Sequence, residues 1–123
     1  MFHYLNPNPN GILTGDCVIR AIAIAQDKSW DEIYLNLISY GYNMKDMPSS
    51  NNVWSHYLHN QGYTRYNIPD ICPECITIKD FVNSTDGEFI LGTGTHLVAV
   101  KDGIYYDTWD SGNEIPIYYW QKG

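Results

Sequence analysis

Positive charge is scarce in this chain: seven Lys and Arg stand against fourteen Asp and Glu, a formal net charge of −7 over 123 residues. An acidic chain of this size gains no counterion-release affinity for phosphate backbones, which argues against DNA or RNA as a partner. The same charge opposes adsorption to anionic membranes or cell-wall polymers, and leaves a basic protein or a neutral substrate compatible. Long apolar runs are missing as well. No stretch approaches the roughly 18 apolar residues that a membrane-spanning helix requires. The start, Met1-Phe2-His3-Tyr4-Leu5-Asn6-Pro7, lacks the basic and apolar regions of a signal peptide. Cysteine is sparse, and three cysteines cannot all pair within one chain. Together these absences predict a cytoplasmic protein in a reducing compartment, where a thiol stays free. Repeats, low-complexity tracts and linkers are absent too, so the length predicts a single domain over 1–123.

What the chain has in quantity is aromatic surface: eleven Tyr and four Trp within an aromatic share of 15%. Tyr and Trp join an apolar body to a polar tip, which suits the rim of a core or the lining of a groove. The opening Asn6-Pro7-Asn8-Pro9-Asn10-Gly11 is turn-rich, and Thr14-Gly15-Asp16 reads as a helix entry. From Cys17 to Ala25 the chain is apolar on nearly every side, which predicts a buried central helix. Ser29-Trp30-Asp31-Glu32 fits a capping box, with Ser29 reaching forward and Glu32 reaching back. Behind it Trp30, Ile33, Tyr34, Leu37 and Ile38 recur at helical spacing until Gly41 ends the run.

A third helix is expected from about Asn51 to Asn60, with Val53, Trp54, Tyr57 and Leu58 inward and Gly62 as its stop. Tyr63 to Ile68 reads as a short strand and Thr77 to Val82 as a short capped helix. Glu88–Leu91, His96–Lys101, Ile104–Asp107 and Ile115–Tyr119 all read as strands, with Lys101-Asp102-Gly103 as a hairpin turn. Helices first and antiparallel strands later predict an α+β fold, the Cys17 helix packed on a C-terminal antiparallel sheet.

A cysteine in an Ala/Ile-rich helix is ordinarily a small buried hydrophobe. Cys17 differs in opening its helix, where the dipole and unpaired backbone N–H groups favour the thiolate. Those N–H groups also suit an oxyanion. His96 follows the glycine-flanked Gly92-Thr93-Gly94-Thr95, which leaves its ring room to face a cleft. Asp107 ends the strand across the hairpin, where it can accept from the His96 ring and fix its tautomer. Taken singly, His96 reads as a solvated strand end and Asp107 as a turn residue; together the three supply nucleophile, base and orienting group.

This order, Cys on a buried helix, His at a strand start and Asp ending the next strand, resembles the papain-like cysteine peptidase superfamily, including small bacterial and phage members. Thr14–Ala21, Thr95–Val100 and Tyr106-Asp107-Thr108-Trp109-Asp110 carry the likeness, the last being similar to the family's Asn-Ser-Trp-Gly element. The resemblance implies a papain-like fold and a Cys17–His96–Asp107 triad, with Trp109 shielding the His96–Asp107 hydrogen bond. The family's oxyanion-hole Gln, a few residues before the Cys, is absent; Asn10, or failing it Asn8, offers an equivalent amide. Asp16, directly before the nucleophile, is expected to raise the thiol pKa, unless it caps the helix or pairs with Arg20.

A second constellation joins Cys72-Pro73-Glu74-Cys75 to His56 and His59 on adjacent helical turns, a donor set compatible with structural zinc. The plainer reading is a thiol pair in a Pro73 turn and two solvated histidines, so no cofactor is expected. Function thus divides between a cysteine hydrolase of peptide, isopeptide or amide bonds and a non-enzymatic protein-binding module of the same fold, such as a phage would encode to act on a host protein. An acyltransferase or deamidase would use the same triad. The expected partner is a protein or peptide.

Overall fold

The computed structural model describes residues 1–69 and 74–123. Among these residues four helices and a six-stranded sheet form an α+β fold. A first helix, α1, runs Cys17–Gln26 and is followed by α2 (Trp30–Met44) and α3 (Asn51–Asn60). The chain then enters the sheet, whose strands are β1 (Phe2–Tyr4), β2 (Tyr63–Asn67), β3 (Glu88–Gly92), β4 (Leu97–Lys101), β5 (Ile104–Asp107) and β6 (Tyr118–Lys122). A short helix, α4 (Ile78–Ser84), lies between β2 and β3.

The sheet order is β1-β5-β4-β3-β6-β2. It is mixed, not purely antiparallel as the sequence suggests, because β1 pairs parallel with β5, Phe2 opposite Tyr105 and Tyr4 opposite Asp107. Three residues are too few to show a strand period, and their partner lies at the far end of the chain. The expected strand over 115–119 shifts to Tyr118–Lys122 for a similar reason. Ile117 is already engaged on both sides, its N–H donating to the Gly92 carbonyl (2.8 Å) and its carbonyl accepting from Ile68 N–H (2.9 Å). The regular ladder begins only beyond it, with Tyr118 and Trp120 buried.

Two cores flank the sheet. On one side α1, α2 and α3 bury Ile22, Ile33, Leu37, Trp54 and Leu58 against Ile90, Leu97 and Trp120. The other cluster joins Ile78 and Val82 of α4 to Leu91, Val98, Val100 and Tyr105. Ile22 is fully buried on α1, so it holds the Cys17 helix to the sheet; truncation to Ala would cost about 2–5 kcal/mol.

Local signals explain the ends. Ser29 Oγ accepts from Glu32 N–H (3.1 Å), whereas the Glu32 carboxylate pairs with Lys28 (3.5 Å) and does not reach back. Thr77 and Asp80 form the full reciprocal box on α4. Gly41 does not end α2, which runs through it to Met44 and closes on Lys45 at φ 58°. A Cβ at Gly41 would stand 2.7 Å from the Asp46 carbonyl oxygen, so the glycine allows the chain to fold back on the helix. The Lys101–Ile104 hairpin has φ 50° at Asp102 and 83° at Gly103, the two positive values of a type I′ turn. This turn makes the start of β4 and the end of β5 neighbours. No described helix is long and apolar enough to cross a membrane.

Candidate active site

Asp16 stands at the N-cap of α1 but makes no side-chain capping bond. Its carboxylate instead pairs with Arg20, one turn on, and accepts from Trp30 Nε1 (2.9 Å) and Asn8 Nδ2 (3.5 Å). The first-turn N–H groups of the helix therefore have no side-chain acceptor, and Cys17 opens that turn half-buried. By contrast Ser29, Ser50 and Thr77 each cap their own helices.

His96 is set by the β3–β4 hairpin, whose loop is closed by Thr93 N–H donating to the His96 carbonyl (3.0 Å), with Gly94 at φ 100°. Its Nε2 lies 2.6 Å from Asp107 Oδ2. The same imidazole shares a cleft with the Cys17 thiol, and each group displaces the other's pKa. Asp107 is only 3% exposed, and each of its oxygens has partners. Oδ2 accepts from His96 and from Ser111 Oγ (2.7 Å); Oδ1 accepts from Thr108 N–H (2.8 Å) and faces Arg20 Nη2 at 3.6 Å. Arg20, itself buried, joins the carboxylate beside Cys17 to the carboxylate behind His96.

The electrostatics follow from these contacts. Burial pushes the Cys17 thiol up, but hydrogen bonds from His96 and the Leu97 backbone, with the charges of His96 and Arg20, outweigh it and hold the thiol below its ordinary 9.0. Burial alone would depress His96, yet its bonds to Asp107 and Cys17 lift it from 6.5 to about 9. Asp107 is desolvated, but its bonds to His96 and Ser111 keep it below 3.8. Both shifts favour thiolate and imidazolium. Of the roles open to Asp16, pairing with Arg20 is the one found, and the net displacement of the thiol pKa is downward.

A cleft of about 200 Å³ holds Cys17 and His96, walled by Ser49, Asn51, Trp54 and Tyr118. Gly92 admits the Tyr118 ring, which lies where a Cβ would be. Trp109 packs on His96 with ring centroids 5.2 Å apart, its outer face still exposed. The two asparagines suggested for an oxyanion hole are elsewhere. Asn8 is buried and committed, its Oδ1 accepting from Asn10 N–H (2.9 Å) and its Nδ2 turned to Asp16, while Asn10 is exposed. Neither lines the cleft.

Among the described residues the zinc candidates are not gathered. His56 and His59 are exposed on α3, with His56 against the Tyr40 ring and 3.4 Å from Asn60 Nδ2; Cys72 lies outside the described residues. Among the described residues no group of three or more His, Cys, Asp or Glu side chains is placed to hold a metal. Sequence reasoning missed Ser111, which carries no motif, placed Trp30 only on a helical face, and saw Arg20 only as a partner for Asp16. The i,i+4 spacing of Asp16 and Arg20 was the available signal; the reach to Asp107 had none. No family model, curated protein or solved structure matches the chain.

Proposed function

We propose that this chain is a cysteine-dependent hydrolase of papain-like architecture that cleaves a peptide, isopeptide or amide bond. The observation that carries this reading is the placement of His96, in one cleft with Cys17 and 2.6 Å from the Asp107 carboxylate. In this scheme the Cys17 thiolate adds to the substrate carbonyl, and the oxyanion rests on the uncapped N–H groups opening α1. His96 then delivers its Nδ1 proton to the departing amine, and the C–N bond breaks to leave a thioester on Cys17. Water, deprotonated by the now neutral His96, adds to the thioester; the C–S bond breaks, the acid product leaves and the thiolate is restored on Cys17. Asp107 keeps Nε2–H in place throughout, under the cover of Trp109. If an acceptor amine replaced water, the same steps would give acyl transfer. A free thiolate is best preserved in a reducing cytoplasm.

The test is covalent trapping. Iodoacetamide at pH 7 should label Cys17 at least tenfold faster than it labels N-acetylcysteine, and His96→Ala should erase that preference. A Cys17 rate no greater than that of N-acetylcysteine would count decisively against the triad. Should Cys17→Ala leave the biological effect intact, the chain is a protein-binding module.

A further inference from the structure

Beside the Cys17 cleft lies a larger cavity of about 610 Å³, formed where the 8–16 loop, α1, α2 and the 47–49 segment meet. Clefts of this size take ligands well beyond a single side chain. Its inner wall is apolar, made by Ile19, Leu37 and Trp30, with the Trp30 indole stacked on Tyr34 at 4.9 Å between centroids. At the mouth Ile12, Tyr34 and Met47 are 52%, 42% and 68% exposed, apolar surface left open to water.

The cavity and the Cys17 cleft share Gly15, Val18 and Ser49 as lining, so they adjoin directly at the start of α1. A Cβ placed on Gly15 would meet nothing within 4 Å, so there is free space at this shared wall. Charge narrows the occupant. No Lys or Arg lines the cavity, so a carboxylate or phosphate finds no counter-ion. The one carboxylate present, Asp16, is paired with Arg20 and bonded to Trp30, so a cation finds no free partner.

We propose that this cavity seats an uncharged apolar segment of the substrate, larger than one side chain, while the adjoining carbonyl lies against Cys17. The proposal rests on the hydrolase reading and supplies its substrate class: an acyl chain or a short run of apolar residues next to the bond attacked. The two sources share the same chemistry and are separable by experiment.

The probes are 4-nitrophenyl acetate and octanoate, and the 4-nitrophenyl esters of acetyl-Gly-Gly and acetyl-Leu-Leu. In each case the Cys17 thiolate adds to the ester carbonyl and 4-nitrophenolate leaves with the electron pair, forming a thioester. Rates are divided by those of N-acetylcysteine with the same ester. Octanoate should exceed acetate by at least tenfold, within a ceiling of about fourfold per buried methylene. A comparable gain for Leu-Leu over Gly-Gly marks a peptide source, and a gain confined to octanoate marks an acyl chain. Ile12→Asp, which sets a charge at the exposed mouth, should cut the long-to-short ratio at least fivefold. Flat ratios with rapid iodoacetamide labelling of Cys17 overturn the cavity assignment and leave the hydrolase reading standing. If no ester reacts and labelling is slow, the hydrolase reading fails. Calorimetry of N-octanoylglycinamide with Cys17→Ser then judges the cavity: saturable binding weakened by Ile12→Asp supports it, and absence of binding overturns it.

Discussion

The Asp16 carboxylate is paired with Arg20 one helical turn away, and the same guanidinium stands 3.6 Å from Asp107. One buried cation thus lies between the residue preceding Cys17 and the residue behind His96. Removing one member of such a group leaves an uncompensated charge in a poorly solvated place.

Arg20→Met should accordingly destabilise the fold by about 3–5 kcal/mol in urea unfolding, because two carboxylates lose their common partner. Arg20→Lys should recover only part of that loss, since a single ammonium cannot reproduce a fork directed at two carboxylates.

Asp16→Asn gives a sharper contrast. If Asp16 opposed the thiolate, removing its charge would speed Cys17 alkylation at pH 7. With the carboxylate committed to Arg20, Trp30 and Asn8, we expect no acceleration, and a stability loss of about 1–3 kcal/mol. Iodoacetamide kinetics and urea unfolding on the same variant read both.

The paired shifts of Cys17 and His96 predict a bell-shaped pH profile for amide hydrolysis. Activity should rise as Cys17 ionises, below its ordinary 9.0, and fall as the imidazolium loses its proton near 9. The two limbs belong to the coupled pair and not to single residues. Iodoacetamide alkylation needs no proton donor, so it should rise on the acid side and show no descending limb.

Stability should carry the same signature. Because the His96 pKa is raised from 6.5 to about 9, its stabilising contribution is complete below pH 6.5 and is lost as pH rises through 9. Asp107, held below 3.8, contributes above that value and loses its contribution as the pH falls through its lowered pKa. Between pH 6.5 and 9.5 the wild type should lose on the order of 2 kcal/mol more than His96→Gln, once solvent access to the ring is allowed for. Identical thermal shifts for the two proteins would remove the basis for a charged His96.

Trp109→Ala should separate cover from packing. The indole is 46% exposed, so its loss should change stability by less than about 1 kcal/mol. With the His96–Asp107 bond open to water, the acid limb of Cys17 alkylation should move upward in pH.

Local patterns were legible where the physics is local. The apolar run after Asp16 gave α1, the I′ pattern gave the Lys101–Ile104 hairpin, and the burial of Val53, Trp54, Tyr57 and Leu58 followed from helical spacing. The same patterns failed where a distant segment intervened. Gly41 reads as a helix stop, yet the returning chain at Asp46 makes it an interior contact. β1 has too few residues for a period and exists because β5 is there to pair with it.

By itself, then, the sequence determined the residue types and the two local geometries that the site needs: a cysteine opening a buried helix, and a histidine and an aspartate at adjoining ends of a hairpin. Only the tertiary structure decided what surrounds them. It turned Asp16 to Arg20, brought Arg20 and Ser111 onto Asp107, placed Asn8 away from the cleft and opened an apolar cavity beside Cys17. Helix starts and two-residue turns are set by neighbours in the chain, whereas a carboxylate's partners and a cavity's walls come from segments that meet only after folding.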